Sequence, residues 1–410
     1  MLEQLYGADA AGAQRERYRN AVIRFAELFG GGAEEPRIFR APGRIEIGGN
    51  HTDHQHGQVL AAAIDLDMVA VAAASEGDDR CRIYSEGFGW IGTDQAEPGT
   101  PGAMVRGMAE EMRAHGYGTG GFHAYVTSKI PEGSGMSSSA AFEVLIGMIL
   151  SGLFNDGVVP AVEIARMAQT AENRYYGKPC GLMDQMASAV GGLCHIDFKD
   201  PASPEVNKLD ADFHEMGYAV CITDTHGSHA DHTEDYAAVQ AELAKAAGVF
   251  GKQVLEGVDP QEVVAQASAI REAGGDRAFL RAMHVAAENE RVLLETDALK
   301  RKDMTAFLDC VRQSGDSSYK LLQNVYADRS SDRQELAVAL AVSEAVLGRA
   351  KAACRVHGGG FGGTIQAFVP EQDVSRYRAG MDALFGDGSC LSVRICPEGC
   401  MEVKEHGIIQ

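Results

Sequence analysis

The segment from Pro131 to Ala141 constrains the fold of this chain most, because it joins two stretches of different periodicity. Residues 121 to 130 alternate polar and apolar side chains, which is typical of a half-buried strand. A long apolar stretch with helical character follows the segment. Between them lie the small residues Pro-Glu-Gly-Ser-Gly-Met-Ser-Ser-Ser-Ala-Ala. The pattern predicts a strand, a tight loop and a helix.

This junction is suited to binding phosphate. Glycine lets the backbone approach an anion closely, and a helix start presents unpaired N–H groups and a positive dipole end. Serine hydroxyls can cap the helix, contact phosphate or bind Mg²⁺. A plain serine-capped helix start explains the loop alone equally well, and no Walker lysine follows it. The predicted phosphate-binding residues are Gly133, Ser134, Gly135, Ser137, Ser138, Ser139 and Ala140.

A second polar cluster lies between Ala41 and His54. Arg44, His51 and Asp53 stand there among glycines, and their donors and acceptors suit a polyol. A polar turn between strands is the alternative interpretation.

A third motif, Gly358 to Gly363, formally satisfies the pattern GxGxxG. A dinucleotide fingerprint requires a helix after the glycines, but residues 364 to 369 have the character of a strand. The glycines therefore predict close backbone packing against residues 131–141, the predicted phosphate loop, or a simple hairpin.

Composition narrows the classes of partner. The 410 residues carry a net charge of -21, which repels nucleic acids and anionic membranes, whereas a local cradle of N–H groups and a cation can still bind ATP. The nine cysteines form no CxxC pair, so we expect them to be reduced and mostly buried. The start of the chain lacks the pattern of a secretory signal, and we expect a cytoplasmic location. The apolar stretch from Val144 to Phe154 is about half the roughly 20 residues of a membrane span, and predicts a core helix.

The remaining patterns predict a mixed α+β fold. An amphipathic helix over residues 11 to 30 ends at glycines, and further helices are expected over 161 to 176 and 283 to 299. Strands are expected over 64 to 71, 191 to 198 and 216 to 224. The polar stretch from 200 to 213 reads as irregular, and we place a boundary there between lobes of residues 1–205 and 206–410.

In order and spacing, the three motifs resemble those of the GHMP kinases, and the first is similar to the galactokinase family in particular. The family motif reads roughly Gly-Arg-x-Asn-Leu-Ile-Gly-Glu-His-Thr-Asp-Tyr, and this chain has Gly-Arg-Ile-Glu-Ile-Gly-Gly-Asn-His-Thr-Asp-His over residues 43–54. Residues 172–188 resemble the galactokinase segment that carries the catalytic aspartate. The likeness spans nearly the whole chain.

The resemblance implies a two-lobed GHMP-kinase-like fold with the active site in the cleft between the lobes. It implies transfer of the ATP γ-phosphate to the anomeric C1 hydroxyl of galactose, giving galactose 1-phosphate and ADP. By position, Asp184 corresponds to the catalytic base and Arg44 to the cation beside it. A carboxylate is far too weak a base to deprotonate a sugar hydroxyl beforehand, so Asp184 is expected to orient the hydroxyl and accept its proton late.

The resemblance also implies the ligand contacts. Glu172, with Ser138 or Ser139, is expected to complete a Mg²⁺ site, although a solvated glutamate on a helix is the alternative interpretation. The predicted sugar contacts are Asn50, His51, Asp53, Gly181 and Tyr236. Small-molecule sugar and ATP are the expected partners, and the oligomeric state is left open.

Departures from the family motif bear on specificity. Asn50 stands where galactokinases usually have glutamate, and His54 where they usually have tyrosine. The exchange at 50 leaves a different hexose, such as N-acetylgalactosamine, open as acceptor. A non-catalytic sugar and ATP sensor on the same fold is a further alternative, disfavoured because the catalytic loop is complete.

Overall fold

The computed structural model describes residues 1–30, 35–75, 77, 79–131, 133–178, 180–227, 232–327 and 333–404. These residues form two sheets with helices on their faces, as the predicted α+β class requires. The strands are β1 (Arg37–Gly48), β2 (Gln58–Ala74), β3 (Arg82–Ser85), β4 (Gly89–Gly92), β5 (Phe122–Ser128), β6 (Leu193–Asp197), β7 (Glu205–Leu209), β8 (Tyr218–Asp224), β9 (Ala353–Val356), β10 (Thr364–Pro370), β11 (Cys390–Val393) and β12 (Met401–Glu402).

The helices differ widely in length, and two of them continue into π-helical turns at Glu172–Tyr176 and Ser318–Leu322. They are α1 (Leu2–Tyr6), α2 (Ala8–Phe29), α3 (Pro101–Ala114), α4 (Ser138–Asn155), α5 (Ala161–Ala171), α6 (Met183–Val190), α7 (Thr233–Val249), α8 (Pro260–Ala265), α9 (Ala267–Gly274), α10 (Asp276–Lys300), α11 (Met304–Ser317), α12 (Glu335–Leu347) and α13 (Val374–Phe385).

The first sheet is built around the long strand β2. Its strand order is β12-β1-β2-β5-β3-β4, and the first half of β2 pairs with β6, which pairs with β7. Helices α3 to α6 cover one face, where Phe39 and Val59 meet Leu145 and Met186. Helices α1 and α2 cover the other face. Because both faces are covered, most residues of β1 and β2 are buried rather than alternately exposed, including charged residues such as Arg40 and Asp67.

The second sheet is antiparallel, with the order β11-β8-β10-β9. Helices α12 and α13 cover one face. The other face joins the end of β1 and β2 through a shared apolar core, in which the rings of Phe213, Phe307 and Phe368 lie 4.9 to 5.4 Å apart. The two sheets are therefore joined through a buried apolar layer, and the ends of β1 and β2 face the second sheet.

Helix α4 is long and apolar enough to cross a membrane by length and composition alone. In the structure 67% of its apolar window is buried within the protein, between β1, β2 and α3 to α6. The prediction of a core helix is confirmed, and the helix begins where the phosphate loop ends.

Most predicted elements are present. The predicted helix near the start is α2, ended by Gly30, and the strand, loop and helix junction is formed by β5 and α4. The prediction of an irregular stretch from 200 to 213 was wrong at Glu205–Leu209, since these residues pair with β6. Pairing with a neighbouring strand stabilises β7 although its side chains are mostly polar.

The division into lobes at residue 205 stays a prediction. The strands of the first sheet come from residues 37 to 209, with the exception of β12, which returns from the end of the chain to pair with β1. The second sheet takes its strands from β8 to β11. The described cysteines are free, and seven of the nine are buried, as expected from their spacing.

Candidate active site

A register shift in the first sheet brings Arg44 to the phosphate loop. The pairing of β1 with β2 shifts between Pro42 and Arg44. Gly43, between them, lies so close to the loop that a Cβ there would come 3.0 Å from the carbonyl oxygen of Met136. The Arg44 N–H donates to that same oxygen at 3.1 Å. Bulges commonly re-aim a side chain near a functional site, and this one directs Arg44 toward α6.

Arg44 and Asp184 form a two-pronged ion pair at the start of α6. Arg44 Nε lies 2.7 Å from Asp184 Oδ1, and Nη2 lies 2.5 Å from Oδ2. Arg44 Nη1 donates to the Gly135 carbonyl, and the Ser137 hydroxyl donates to Asp184 Oδ2 at 2.6 Å. The arginine is buried, whereas 29% of the aspartate side chain is exposed. The predicted catalytic pair is thus assembled beside the phosphate loop.

The ionised form of Asp184 is favoured. Desolvation raises the pKa of this carboxyl, but the Arg44 guanidinium and the hydrogen bonds from Arg44 and Ser137 lower it more strongly. The net pKa lies below the usual aspartate value. A carboxylate that is held ionised and partly exposed can accept a proton from a ligand in the cleft.

The phosphate loop is sharply curved. Gly133, Gly135 and Ser137 all have positive φ, at 72°, 69° and 58°. A Cβ on Gly135 would lie 2.8 Å from Thr364 Oγ1, so the strand after the third glycine motif packs directly on the loop. Thr364 and His357, which flank the motif, are the residues that pack on the loop, and β9 and β10 form the predicted hairpin.

The serines of the loop are used differently. Ser134 is buried and donates to the Pro131 carbonyl at 2.6 Å, and Ser137 is bonded to Asp184. Ala140 is buried under the first turn of α4. Within the part of the chain that the structure describes, the Ser138 and Ser139 hydroxyls have no hydrogen-bond partner, and both are at least partly exposed. These two hydroxyls can contact an anion or a cation, and the N–H groups at the start of α4 can contact an anion.

A buried carboxylate cluster lies next to Asp184. The Gln185 side-chain amide donates to Glu172 Oε2 and to Glu143 Oε2, both at 2.9 Å. Lys178 Nζ lies 3.2 Å from Glu172 Oε1. Burial, and then the nearby Glu172, raise the pKa of Glu143 well above its usual value. Glu172 is buried and already bonded to one cation, and does not fit the alternative of a solvated helix residue.

Two predicted sugar contacts meet at the third glycine motif. His51 Nε2 lies 2.9 Å from the Gly359 carbonyl oxygen, and the Tyr236 hydroxyl donates to the Gly360 carbonyl at 2.7 Å. Burial lowers the pKa of His51 to about 4, so the ring is neutral and donates one N–H. Two others meet each other, because a Cβ on Gly181 would lie 1.9 Å from Asp53 Oδ2. A side chain at position 181 would therefore displace the Asp53 carboxylate.

Asn50 is placed differently from a residue that faces a ligand. It is completely buried, and both atoms of its side-chain amide are hydrogen-bonded within the protein. Sugar binding by Asn50 stays a prediction, and this geometry leaves the amide no group to offer to a sugar.

Several residues around the site were not predicted. Glu143, Lys178 and Gln185 surround Glu172, and Arg355 and His357 contact Glu46 from the second sheet. One signal in the sequence was available, since Glu143 follows Ser139 by four residues and so lies on the same face of α4. For the partners of Glu46 there was none, because more than 300 residues separate them.

Family models match the segment that contains the phosphate loop and the segment that contains Arg44. The model described as the GHMP kinases N terminal domain matches residues 103–192, which include the phosphate loop and Asp184. The model described as the galactokinase galactose-binding signature matches residues 23–74, which include Arg44.

Similar proteins span nearly the whole chain. The galactokinase of Actinobacillus pleuropneumoniae serotype 3 (strain JL03) is 32% identical over 366 residues, which are 87% of this chain and 91% of the relative. The galactokinase of Streptomyces coelicolor is 30% identical over 91% of this chain and 94% of the relative. The structure of Lactococcus lactis galactokinase complexed with galactose matches with a TM-score of 0.80 at 27% identity, covering 93% of this chain and 98% of that one. The Methanococcus jannaschii mevalonate kinase, at 16% identity and a TM-score of 0.61 over 89% of this chain and 99% of that one, shares the fold.

Proposed function

The chain belongs to the galactokinase family of the GHMP kinases, and on this premise we propose that it phosphorylates the anomeric C1 hydroxyl of galactose. The substrates are galactose and ATP, and the products are galactose 1-phosphate and ADP. The observation that carries the proposal is the Arg44–Asp184 pair, which lies at the edge of the phosphate loop with Asp184 partly exposed. A base for the sugar hydroxyl and a cradle for the phosphates therefore adjoin each other.

Asp184 orients the C1 hydroxyl and takes its proton. In a loose, metaphosphate-like transition state the attacking oxygen keeps its proton until late, so a carboxylate of low pKa is sufficient. Arg44 holds the carboxylate in place through two hydrogen bonds and offsets the negative charge that develops on the transferred group. Ser137 fixes the second carboxylate oxygen.

The loop and the start of α4 bind the triphosphate. The N–H groups of Ser138 to Ala140, at the start of α4, have no partner within the helix, and the Ser138 and Ser139 hydroxyls have none among the described residues. These hydroxyls and the buried Glu172 carboxylate are hard oxygen donors, which fit Mg²⁺. When bound there, Mg²⁺ would neutralise charge on the phosphate oxygens. That Lys178 already lies against Glu172 indicates that the carboxylate accepts a positive charge at this point.

The predicted sugar contacts form two groups, each packed against glycines, and the sugar lies between the two groups. His51 and Tyr236 border the Gly358–Gly360 turn on one side, and Asp53 lies against Gly181 on the other, three residues before Asp184. Their imidazole, hydroxyl and carboxylate groups supply donors and acceptors for a polyol.

The test is ADP release with Mg-ATP across galactose, glucose, N-acetylgalactosamine, arabinose and mevalonate, with Asp184→Asn beside the wild type. We expect the highest kcat/KM with galactose and a loss of at least about 10³-fold in kcat for the variant. A higher kcat/KM with another acceptor would overturn the assignment of galactose. Turnover by Asp184→Asn at the wild-type rate would overturn the role of the aspartate.

The cytoplasmic location and the division into lobes 1–205 and 206–410 belong to the same proposal. They are supported by the family and by the separation of the two sheets near residue 210. Limited proteolysis tests the boundary, because cleavage should begin between β7 and β8 if the lobes are separate units.

A further inference from the structure

The segment Gly48–His51, at the end of β1, is held by residues of the second half of the chain. The backbone N–H groups of Gly49 and Asn50 donate to Glu288 Oε1, each at 3.3 Å. His284 Nε2 lies 3.0 Å from the Asn50 carbonyl oxygen. Both partners lie on α10, so this helix fixes the backbone at the point where the chain turns toward the sugar residues.

The Asn50 side chain uses its full hydrogen-bonding capacity inside the protein. Its Nδ2 donates to Glu46 Oε1 at 3.0 Å and to the Gly358 carbonyl at 2.6 Å. Its Oδ1 accepts from Asn324 Nδ2 at 2.8 Å and from the Ser318 hydroxyl at 3.4 Å. A primary amide offers two donors and two acceptor positions. None of them is left over for a ligand in this conformation.

A closed ring of buried charges supports this amide. Arg355 donates to the same Glu46 oxygen as Asn50, and Arg355 Nη1 lies 3.5 Å from Glu288 Oε1. Glu288 in turn accepts the Asn50 N–H. All four side chains are at most 4% exposed. Removing one member of such a network leaves a buried partner unsatisfied, which is why a network of this kind is sensitive to single substitutions.

Asn50, which belongs to this ring, and two of the predicted sugar-contact residues bind the same turn. Asn50, His51 and Tyr236 donate to the carbonyls of Gly358, Gly359 and Gly360 in succession. Asn324 also donates to the Gly359 carbonyl, at 3.1 Å. Asn50 is bonded to Gly358 directly and to Gly359 through Asn324. The position of the neighbouring His51 relative to this turn therefore depends on these bonds.

We propose that Asn50 is a positioning residue, which locks the segment carrying His51 and Asp53 onto the Gly358–Gly360 turn and makes no contact with the sugar itself. This inference deepens the proposed function and rests on it. Among the residues that the structure describes, Arg44, Asp184 and the phosphate loop form none of their hydrogen bonds through Asn50. Its loss thus affects the sugar side of the cleft and leaves the phosphate side in place.

The chain's own motif supports the same reading. The family motif quoted above has asparagine and glutamate at the positions of Glu46 and Asn50, so this chain carries the two residue types in exchanged order. The exchanged side chains are hydrogen-bonded to each other. One carboxylate and one amide are retained, with the carboxylate now against Arg355. The exchange at position 50 is then a compensated one and gives no reason to expect another acceptor sugar.

The test compares Asn50→Asp with Asn324→Asp. The second variant changes a fully buried residue on the far side of Asn50, and each replaces a donating amide by a carboxylate of the same shape. We expect both to raise the sugar KM, and the sugar Kd measured by calorimetry, by about tenfold or more, with kcat within about threefold and the ATP KM within about twofold. Ser343→Ala, which removes a buried hydroxyl bonded to Tyr377 in the second lobe, is the matched control and should change none of these values.

Galactose analogues that each lack one hydroxyl separate positioning from direct contact. If Asn50 positions the segment, Asn50→Asp and Asn324→Asp give the same pattern of losses across galactose and the analogues, because both act through His51 and Asp53. If Asn50 itself contacts a hydroxyl, the analogue without that hydroxyl escapes the loss in Asn50→Asp but not in Asn324→Asp, and the inference is overturned. The inference also fails if Asn324→Asp leaves the sugar Kd unchanged, or if the sugar and ATP KM values rise together.

Rescue and folding complete the design. The double variant Glu46→Asn/Asn50→Glu, which restores the family order, should bind sugar at least about tenfold more tightly than Asn50→Glu alone. Should an aspartate variant lose its cooperative unfolding transition, Ser318→Ala takes its place, with a rise in sugar Kd of about threefold expected and no rise contradicting the inference. Failure of wild-type turnover with galactose refutes the proposed function, whereas the calorimetric comparison, made with whichever sugar binds, decides the role of Asn50 separately.

Discussion

The guanidinium of Arg44 holds both carboxylate oxygens of Asp184, with Nε 2.7 Å from Oδ1 and Nη2 2.5 Å from Oδ2, although 140 residues separate them in the chain. The same guanidinium bonds to Gly135, so the base, the cation and the phosphate loop form one rigid unit. Planar two-pronged pairing fixes orientation as well as charge, which a lysine at this position would not do.

Replacing Arg44 is expected to change the pH profile as well as the rate. Arg44→Met removes the charge that lowers the pKa of Asp184, so desolvation then raises that pKa and the acid limb of kcat/KM moves to higher pH. We expect kcat to fall about 10² to 10³-fold. Arg44→Lys retains the charge and should keep the acid limb in place with a smaller loss of kcat. Identical profiles for the wild type and Arg44→Met would contradict the assignment.

Glu143 and Glu172, the two carboxyl groups that accept hydrogen bonds from Gln185, should respond differently to substitution by glutamine. Because burial raises the pKa of Glu143 and so favours its neutral form, Glu143→Gln should stay within about threefold of the wild-type kcat. Glu172→Gln removes a proposed Mg²⁺ ligand and should raise the free Mg²⁺ needed for half-maximal rate about tenfold or more. Steady-state rates against free Mg²⁺, and Mn²⁺ binding by electron paramagnetic resonance, measure both. Equal Mn²⁺ affinity of the two variants would refute the assignment of Glu172.

A methyl group at position 181 should weaken sugar binding selectively. Gly181→Ala places a Cβ where Asp53 Oδ2 now lies, at 1.9 Å, so Asp53 must move. We expect the galactose KM to rise about tenfold and the ATP KM to stay within about twofold. Gly12→Ala in helix α2 is the control, since a Cβ there meets nothing within 4 Å, and it should stabilise the fold by about 0.5 to 1 kcal/mol without changing kinetics. A normal galactose KM in Gly181→Ala would place Asp53 outside the sugar site.

Stability is expected to fall with acid through His284. Burial lowers the pKa of this ring to about 4, so below the unfolded value of about 6.5 the unfolded chain binds a proton that the folded chain refuses. The neutral His284 ring therefore makes its full contribution to the free energy of unfolding above pH of about 6.5. This contribution is lost progressively toward pH of about 4, and the loss amounts to about 2 kcal/mol by pH 5. Urea unfolding at neutral pH and at pH of about 5 measures it.

A variant isolates this contribution. His284→Gln can still donate to the Asn50 carbonyl but does not titrate, so its free energy of unfolding should fall about 2 kcal/mol less between the two pH values. His115→Gln, at an exposed position after α3, should keep the wild-type pH dependence. An unaltered difference in His284→Gln would show that other groups cause the acid sensitivity.

Local pattern was sufficient to predict the elements that carry the site. The alternation in β5, the small residues after it and the apolar stretch of α4 predict the strand, loop and helix, because each depends on residues a few positions apart. The glycine stop of α2 and the hairpin of β9 and β10 were predictable for the same reason. The family motifs also placed Arg44 and Asp184 in one site before any distance was known. Strand β7 was missed, since its polar residues are ordered by pairing with β6.

The tertiary structure alone decided what each polar side chain near the cleft contacts. The family resemblance implied Asn50 as a sugar contact, and the structure shows its amide bonded to Gly358 and Asn324, 308 and 274 residues away. The side-chain amide of Gln185 donates to both Glu143 and Glu172. Glu172 begins a π-helical turn that the sequence periodicity did not predict. Periodicity records which face of an element is buried, but the partner of a buried donor is set by which distant elements pack together. A hydrogen bond requires donor and acceptor within about 3 Å, and only the folded arrangement brings residues so far apart in the chain to that distance.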